Sequence, residues 1–226
     1  MENRPKQERQ QERPRERLLS RGAQALTDAE LVALVLGTGS GKYSALELAR
    51  QLILSHGGLH GLLHTDSRTF LAVSGLGPAQ YARFRAIREI SGRQLREKMQ
   101  RSDVLRDPAA TEAYLRYWLR DRSRETFVCV FLDSRHRVIH CEVLFEGTID
   151  AAAVYPREVV RQSLQHNAAA VILAHNHPSG VAEPSEADRH LTRRLGQALD
   201  LVDIRLLDHL VIGEGRATSF ARRGIL

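Results

Sequence analysis

Ala174-His175-Asn176-His177-Pro178, with Ser185 and Asp188 shortly behind, is the stretch around which the rest of the chain can be read. It closes an unbroken apolar run, 168–174, of the kind a strand buried on both faces requires. Residues i and i+2 of a strand share a side, so His175 and His177 can aim their imidazoles at one point while Asn176 faces the other way. Pro178 cannot continue a central ladder, and Ser179, Gly180 and Pro184 keep the following residues in a loop. Ser185 then offers a helix N-cap, with Asp188 at the third helical position and Leu191, Leu195, Ala198 and Leu199 as the apolar stripe. The helix dipole favours an ionised carboxylate in that first turn. Folding the loop back brings it to the two imidazoles. Two neutral nitrogens and one anionic oxygen are a ligand set for a divalent metal with an open fourth position, and zinc suits that mixture.

Outward from this stretch the period is that of strands alternating with helices. Residues 126–132 and 138–145 are β-rich and joined by Asp133-Ser134-Arg135-His136-Arg137 as a hairpin, and a helix runs from Pro156 to about His166. Closing strands are expected near Ile204 to Leu207 and Leu210 to Gly213. This order predicts an α/β fold, a mixed sheet flanked by helices. Water activated at such a metal needs a proton acceptor nearby, and glutamate is the usual residue. Glu125, Glu142, Glu146 and Glu158 are candidates that spacing alone does not separate.

The N-terminal half reads differently. Residues 1–17 are Glu, Arg, Gln and Pro with hardly an apolar side chain, and are expected to be a solvated, disordered tail. Residues 18–101 are helical in pattern. Thr27-Asp28-Ala29-Glu30 and Ser44 with Glu47 are capping boxes. Gly37-Thr38-Gly39-Ser40-Gly41-Lys42 lacks the spacing and the preceding strand of a phosphate loop. His56, His60 and His64 lie among Gly57, Gly58 and Gly61, which predicts a glycine-rich connection with exposed histidines. Residues 70–78, followed by Tyr81, Phe84 and Ile87, look like a helix-hairpin-helix, a motif whose glycines let the backbone approach a phosphate. Gln80 and Tyr81 stand where a lysine and an alanine are more typical. From Arg83 to Arg101 seven basic residues face two acidic ones, so DNA contact through residues 75–101 is expected to weaken steeply with salt. The pattern changes across Ser102 to Pro108, predicting a second core over 103–226, with Asp107 as cap and Pro108 at the first position of its opening helix.

The assembled string, His-x-His-Pro, then seven residues from His177 to Ser185 and two more to Asp188, resembles the JAMM (MPN+) metalloprotease signature at every fixed position. With His175-Asn176-His177-Pro178-Ser179-Gly180 and Pro184-Ser185, the chain is similar to the bacterial RadC-like proteins, the UPF0758 family. The likeness continues in Gly147-Thr148-Ile149, Tyr155-Pro156-Arg157-Glu158, Leu207-Asp208-His209-Leu210 and Thr218-Ser219-Phe220, and so covers nearly the whole sequence. The resemblance implies an MPN/JAMM-like metallohydrolase domain over 103–226 behind an all-α helix-hairpin-helix-like domain. It implies Zn2+ on His175, His177 and Asp188, and hydrolysis of a peptide or isopeptide bond. It further implies Glu125, in Arg124-Glu125-Thr126-Phe127, as catalytic base, and Ser185 as catalytic oxyanion donor. The family's historical link to DNA repair supplies the alternative, a DNA-associated module whose metal domain is structural or vestigial. The intact ligand set favours the hydrolase.

Composition narrows the class. In 226 residues, 33 basic against 27 acidic side chains give a formal charge of +6, which permits nucleic-acid binding without requiring it. No apolar run is long enough for a signal peptide or a membrane span, so a cytoplasmic protein without membrane contact is expected. Cys129 and Cys141 fall on the two strands of the hairpin and read as small buried residues of a reducing compartment.

Overall fold

The computed structural model describes residues 13–101, 103–147 and 154–226. The chain divides into two compact units, Met1–Ile90 and Ser91–Leu226. The change of sequence pattern predicts a joint at Ser102 to Pro108. The division falls earlier because the last turns of one long helix, Pro78–Arg101, send Leu95 and Met99 into the core of the second unit.

The first unit is helical: α1 (Pro14–Arg21), a 3-10 turn at Ala23–Ala25, α2 (Asp28–Leu36), α3 (Ala45–Ser55), α4 (Leu59–His64), α5 (Ser67–Leu71) and the first half of α6 (Pro78–Arg101). Of the expected tail, residues 1–12 lie outside the described residues, and Pro14 to Arg17 belong to a helix. Pro14 occupies the first helical turn, the Arg13 N–H donates to Glu16 Oε2 at 3.1 Å, and Arg17 pairs with Glu30. Polar content alone misses a helix held by caps and ion pairs. Both expected capping boxes form, on Thr27–Glu30 and Ser44–Glu47. The histidine segment is a correction: Leu59–His64 is a short helix, because Leu62 is fully buried and binds the turn to the core despite its glycines.

Phe70 anchors that core, 5.5 Å from Phe84 and 5.4 Å from Tyr81 between ring centroids. The hairpin between α5 and α6 turns at Gly75, whose φ of +89° and contact with Ser40 leave no room for a Cβ. Two groups that a phosphate contact would draw on are engaged within the unit. The Gly77 N–H donates to Gln80 Oε1 at 3.1 Å, and Arg83 Nη1 donates to the carbonyls of Val35 and Leu36 at 3.2 and 2.7 Å. Arg83 thus caps the C-terminus of α2, a role that its place in a basic run does not announce.

The second unit adds α7 (Pro108–Leu119), β1 (Thr126–Leu132), β2 (Val138–Glu146), α8 (Pro156–Gln165), β3 (Ala170–Asn176), α9 (Glu186–Asp200), β4 (Arg205–Ile212) and β5 (Thr218–Ser219). The sheet order is β2-β1-β3-β4-β5, and only β3 and β4 run parallel. It is the mixed α/β sheet the sequence predicts. Every residue of β1 and β3 is buried, as the central position of both strands demands. Val128, Val130, Ile172 and Leu210 pack with Leu115 and Leu119 of α7 on one face; Phe127, Phe131, Val171 and Leu173 pack with Val159 of α8 and Leu195 and Leu199 of α9 on the other.

The two expected closing strands are one. Between Val171↔Leu206 and Ile172↔Asp208 the register slips by a residue, so Leu207 is a bulge that a period-2 reading mistakes for a break. The cysteines are buried and free, but Cys141 pairs with Val130 while Cys129 pairs with Glu142, so the two thiols lie on opposite faces of the sheet. Of the Gly147-Thr148-Ile149 segment, Thr148 and Ile149 lie outside the described residues. No helix among the described residues is long and apolar enough to cross a membrane.

Candidate metal centre

Strand alternation decides what meets at the site. His175 follows Val171 and Leu173 on the face covered by α9, and His209 of β4, paired with Leu173, lies on that same face. Asn176 points to the other face. On α9, Asp188 and Thr192 are one turn apart and both buried. The loop carrying His177 is pinned at both ends: the His177 N–H donates to the Ile212 carbonyl at 2.9 Å and the Glu214 N–H to the Gly180 carbonyl at 2.9 Å. Gly213 packs so closely under that loop that a Cβ would sit 2.3 Å from the Gly180 oxygen.

The three predicted ligands are brought together. His175 Nε2 and His177 Nε2 stand 3.0 Å apart, His175 Nε2 is 3.2 Å from Asp188 Oδ1, and His177 Nε2 is 3.4 Å from Asp188 Oδ2. Bonds of about 2.0–2.1 Å to a tetrahedral ion would set its ligand atoms about 3.3 Å apart; the nitrogen–nitrogen edge and the edge from His175 to Oδ1 come close to that spacing, and Oδ2 offers His177 a similar one. His175 is buried among the strands, whereas His177 is partly open, which leaves one side for a further ligand.

The ring tautomers follow from their outer partners. His177 Nδ1 lies 2.8 Å from the Val181 carbonyl, which only accepts, so Nδ1 carries a proton and, in the neutral ring that binds a metal, Nε2 carries the lone pair. For His175 the chain is longer. Thr192 Oγ1 donates to the Asp188 carbonyl at 2.6 Å, so it must accept from His209 Nδ1, also at 2.6 Å. His209 Nε2 is then the acceptor for His175 Nδ1–H at 2.9 Å, which leaves His175 Nε2 bare. Burial, and then His175, hold the His209 pKa well below the ordinary imidazole value, so this ring stays neutral between Phe127 and Phe220. Two lone pairs and a carboxylate therefore converge where only a cation satisfies all three. With no ion bound, a proton plays that part on the same groups. The hydrogen bond with Asp188 raises the His177 pKa. Burial opposes the Asp188 charge, but hydrogen bonds from both histidines outweigh it and hold that carboxyl below the usual range.

Ser185 is the N-cap of α9 and forms a capping box with Asp188. Its Oγ accepts the Asp188 N–H at 3.1 Å, and its own proton is donated to Asp188 Oδ2 at 2.7 Å. Asn176 fixes the approach to β1: its amide donates to the Arg122 and Arg124 carbonyls at 3.0 and 3.2 Å, and its Oδ1 accepts the Thr126 N–H at 2.8 Å. Glu125 lies inside that clasp, with its carbonyl bound by the Gly147 N–H at 2.8 Å, and its charge contributes to raising the His177 pKa. The other candidate glutamates are engaged elsewhere, Glu142 with His166, Glu146 with Arg122 and Glu158 with Arg161.

His209, Thr192 and Asn176 are the residues of this centre to which sequence reasoning assigns no role. Strand alternation says of Asn176 only that it points away. His209 carries a faint signal as a histidine inside an apolar strand; Thr192 carries none. Thr192→Val keeps the shape but leaves the His209 Nδ1–H buried without an acceptor. We expect it to weaken metal affinity by about 10–100-fold and to destabilise the fold by ~1–3 kcal/mol. Competition against a chromophoric chelator measures the first and denaturant unfolding the second; unchanged affinity would remove this relay from the account.

Comparison with known proteins accords with this geometry. Residues 105–225 match the family described as the RadC-like JAB domain, and residues 6–82 match the UPF0758 N-terminal family. The chain is 58% identical over 216 residues to a UPF0758 protein of Halorhodospira halophila, covering 96% of each chain. It is 55% identical to one of Aliivibrio fischeri, covering 95% of this chain and 96% of the relative. For one of Vibrio parahaemolyticus the identity is 57%, over 93% and 94%.

Proposed function

Because the chain belongs to the UPF0758 family and its residues 105–225 form a RadC-like JAB domain, we propose that it is a zinc-dependent hydrolase of amide bonds in peptides or isopeptides. The observation that carries this reading is the convergence of two imidazole nitrogens and one carboxylate at 3.0–3.4 Å, with the outer nitrogen of each ring engaged as a donor. A structural zinc site would be closed by a fourth protein ligand, whereas two histidines and one aspartate leave a position for water or substrate. A divalent metal held there supplies a Lewis acid that lowers the pKa of a bound water to about 7 and polarises a carbonyl.

The protein's own residues do the rest. Glu125 takes the proton of the attacking water as the new carbon–oxygen bond forms, then delivers it to the nitrogen as the carbon–nitrogen bond breaks, giving a carboxylic acid and a free amine. Ser185 serves the oxyanion. Its hydroxyl rotor turns from Asp188 Oδ2 to the substrate oxygen without moving Oγ, which stays fixed by the Asp188 N–H. Neutral His209 and Thr192 hold the inner imidazole in the tautomer that binds metal.

The test is elemental analysis of purified full-length protein beside a panel of peptide and isopeptide substrates, with and without a chelator. Chelator-sensitive cleavage of an amide bond is the expected result. A metal-loaded chain that cleaves none of them would refute the hydrolase.

A further inference from the structure

A second cluster of imidazole and carboxylate groups lies on the edge strand, apart from the proposed hydrolytic residues. His140 and Glu142 alternate on β2, opposite Phe131 and Cys129, and so project to the face that α8 covers. His166 caps the C-terminus of α8, where the left-handed Asn167 ends the helix. The three meet. His166 Nε2 is 3.3 Å from Glu142 Oε1, His140 Nε2 is 3.9 Å from Glu142 Oε2, and the two imidazoles stack with centroids 4.6 Å apart. Phe131, fully buried, closes the floor beneath both rings, 4.6 Å from His166.

We propose that His140, Glu142 and His166 form a second binding site for a divalent transition metal. One ligand atom from each of the three residues lies within 4.8 Å of the other two, so one ion can reach all three. The 3.3 Å edge already equals the ligand spacing of a tetrahedral site with bonds of about 2.0–2.1 Å. The longer edge involves His140, the most exposed of the three side chains at 41%, which is free to close in. Two imidazoles and one carboxylate select Zn2+, Cu2+, Ni2+ or Co2+ over Mg2+ and Ca2+, which take all-oxygen shells. An ion there would staple the end of α8 to the edge strand of the sheet across 24 residues of chain. Simple stacking with a glutamate contact would need no metal and would not respond to one.

The site is separable from the hydrolytic one by substitution. Zinc titration of the full chain is expected to show two equivalents. His166→Ala and Glu142→Gln each lose the same one, and His177→Ala loses the other. In the His177→Ala background, added zinc is expected to shift the ring NMR signals of His140 and His166, a readout needing no substitution at the new site. Should the second equivalent survive in both His166→Ala and Glu142→Gln, or the two rings ignore zinc, the proposal falls, whatever becomes of the hydrolase.

Discussion

Glu125→Gln is expected to lower amide hydrolysis by about 100-fold or more, the scale of a general base, while the chain keeps its metal. Glutamine has the size of glutamate and leaves the local backbone bonds intact, since these run through the Glu125 carbonyl and its neighbours rather than the carboxylate. It cannot accept the water's proton. The loss should fall on kcat with KM little changed, because the side chain acts on the transition state and not on substrate binding. Parallel Glu142→Gln, Glu146→Gln and Glu158→Gln variants are controls whose carboxylates are bound to His166, Arg122 and Arg161. A fully active Glu125→Gln beside one dead control would move the base to that residue and leave the metal site standing.

What the sequence discloses about this site depends on distance along the chain. His175 and His177 sit two residues apart and Asp188 eleven further on, within one strand, loop and helix turn whose signals are local: apolar run, proline stop, serine cap. Alternation and capping rules suffice to bring them together. The supports do not obey such rules. Asn176 reaches back some fifty residues to Arg122, Arg124 and Thr126, and His209 meets Thr192 across seventeen. Those contacts exist because β1 and β4 flank β3, and strand order is a property of the assembled sheet. The same limit explains Arg83. Its run of basic residues suggests a nucleic-acid surface, and only the packed first unit reveals the carbonyls of Val35 and Leu36 that it caps. The bulge at Leu207 hides for a related reason, since a register slip has no composition of its own.

His177→Ala is expected to abolish both metal binding at the centre and hydrolysis. His177 is the best of the three ligands to remove, because His175 is buried against Phe127 and Asp188 is part of the capping box, so loss of either would also damage packing or the start of α9. The His177 ring is partly exposed, and its backbone N–H keeps its bond to Ile212 whatever the side chain. With one lone pair gone, His175 and Asp188 remain as two donors, too few to hold an ion against water in an open site. The variant should therefore fold. Its melting temperature should fail to show the rise that metal gives the wild type at this centre, worth about 2.7 kcal/mol at a hundredfold excess over Kd. Zinc content, thermal shift and turnover then move together. If His177→Ala kept the equivalent that His175 and Asp188 help to bind, the three converging side chains would not be a metal site, and the hydrolase built on them would go with it.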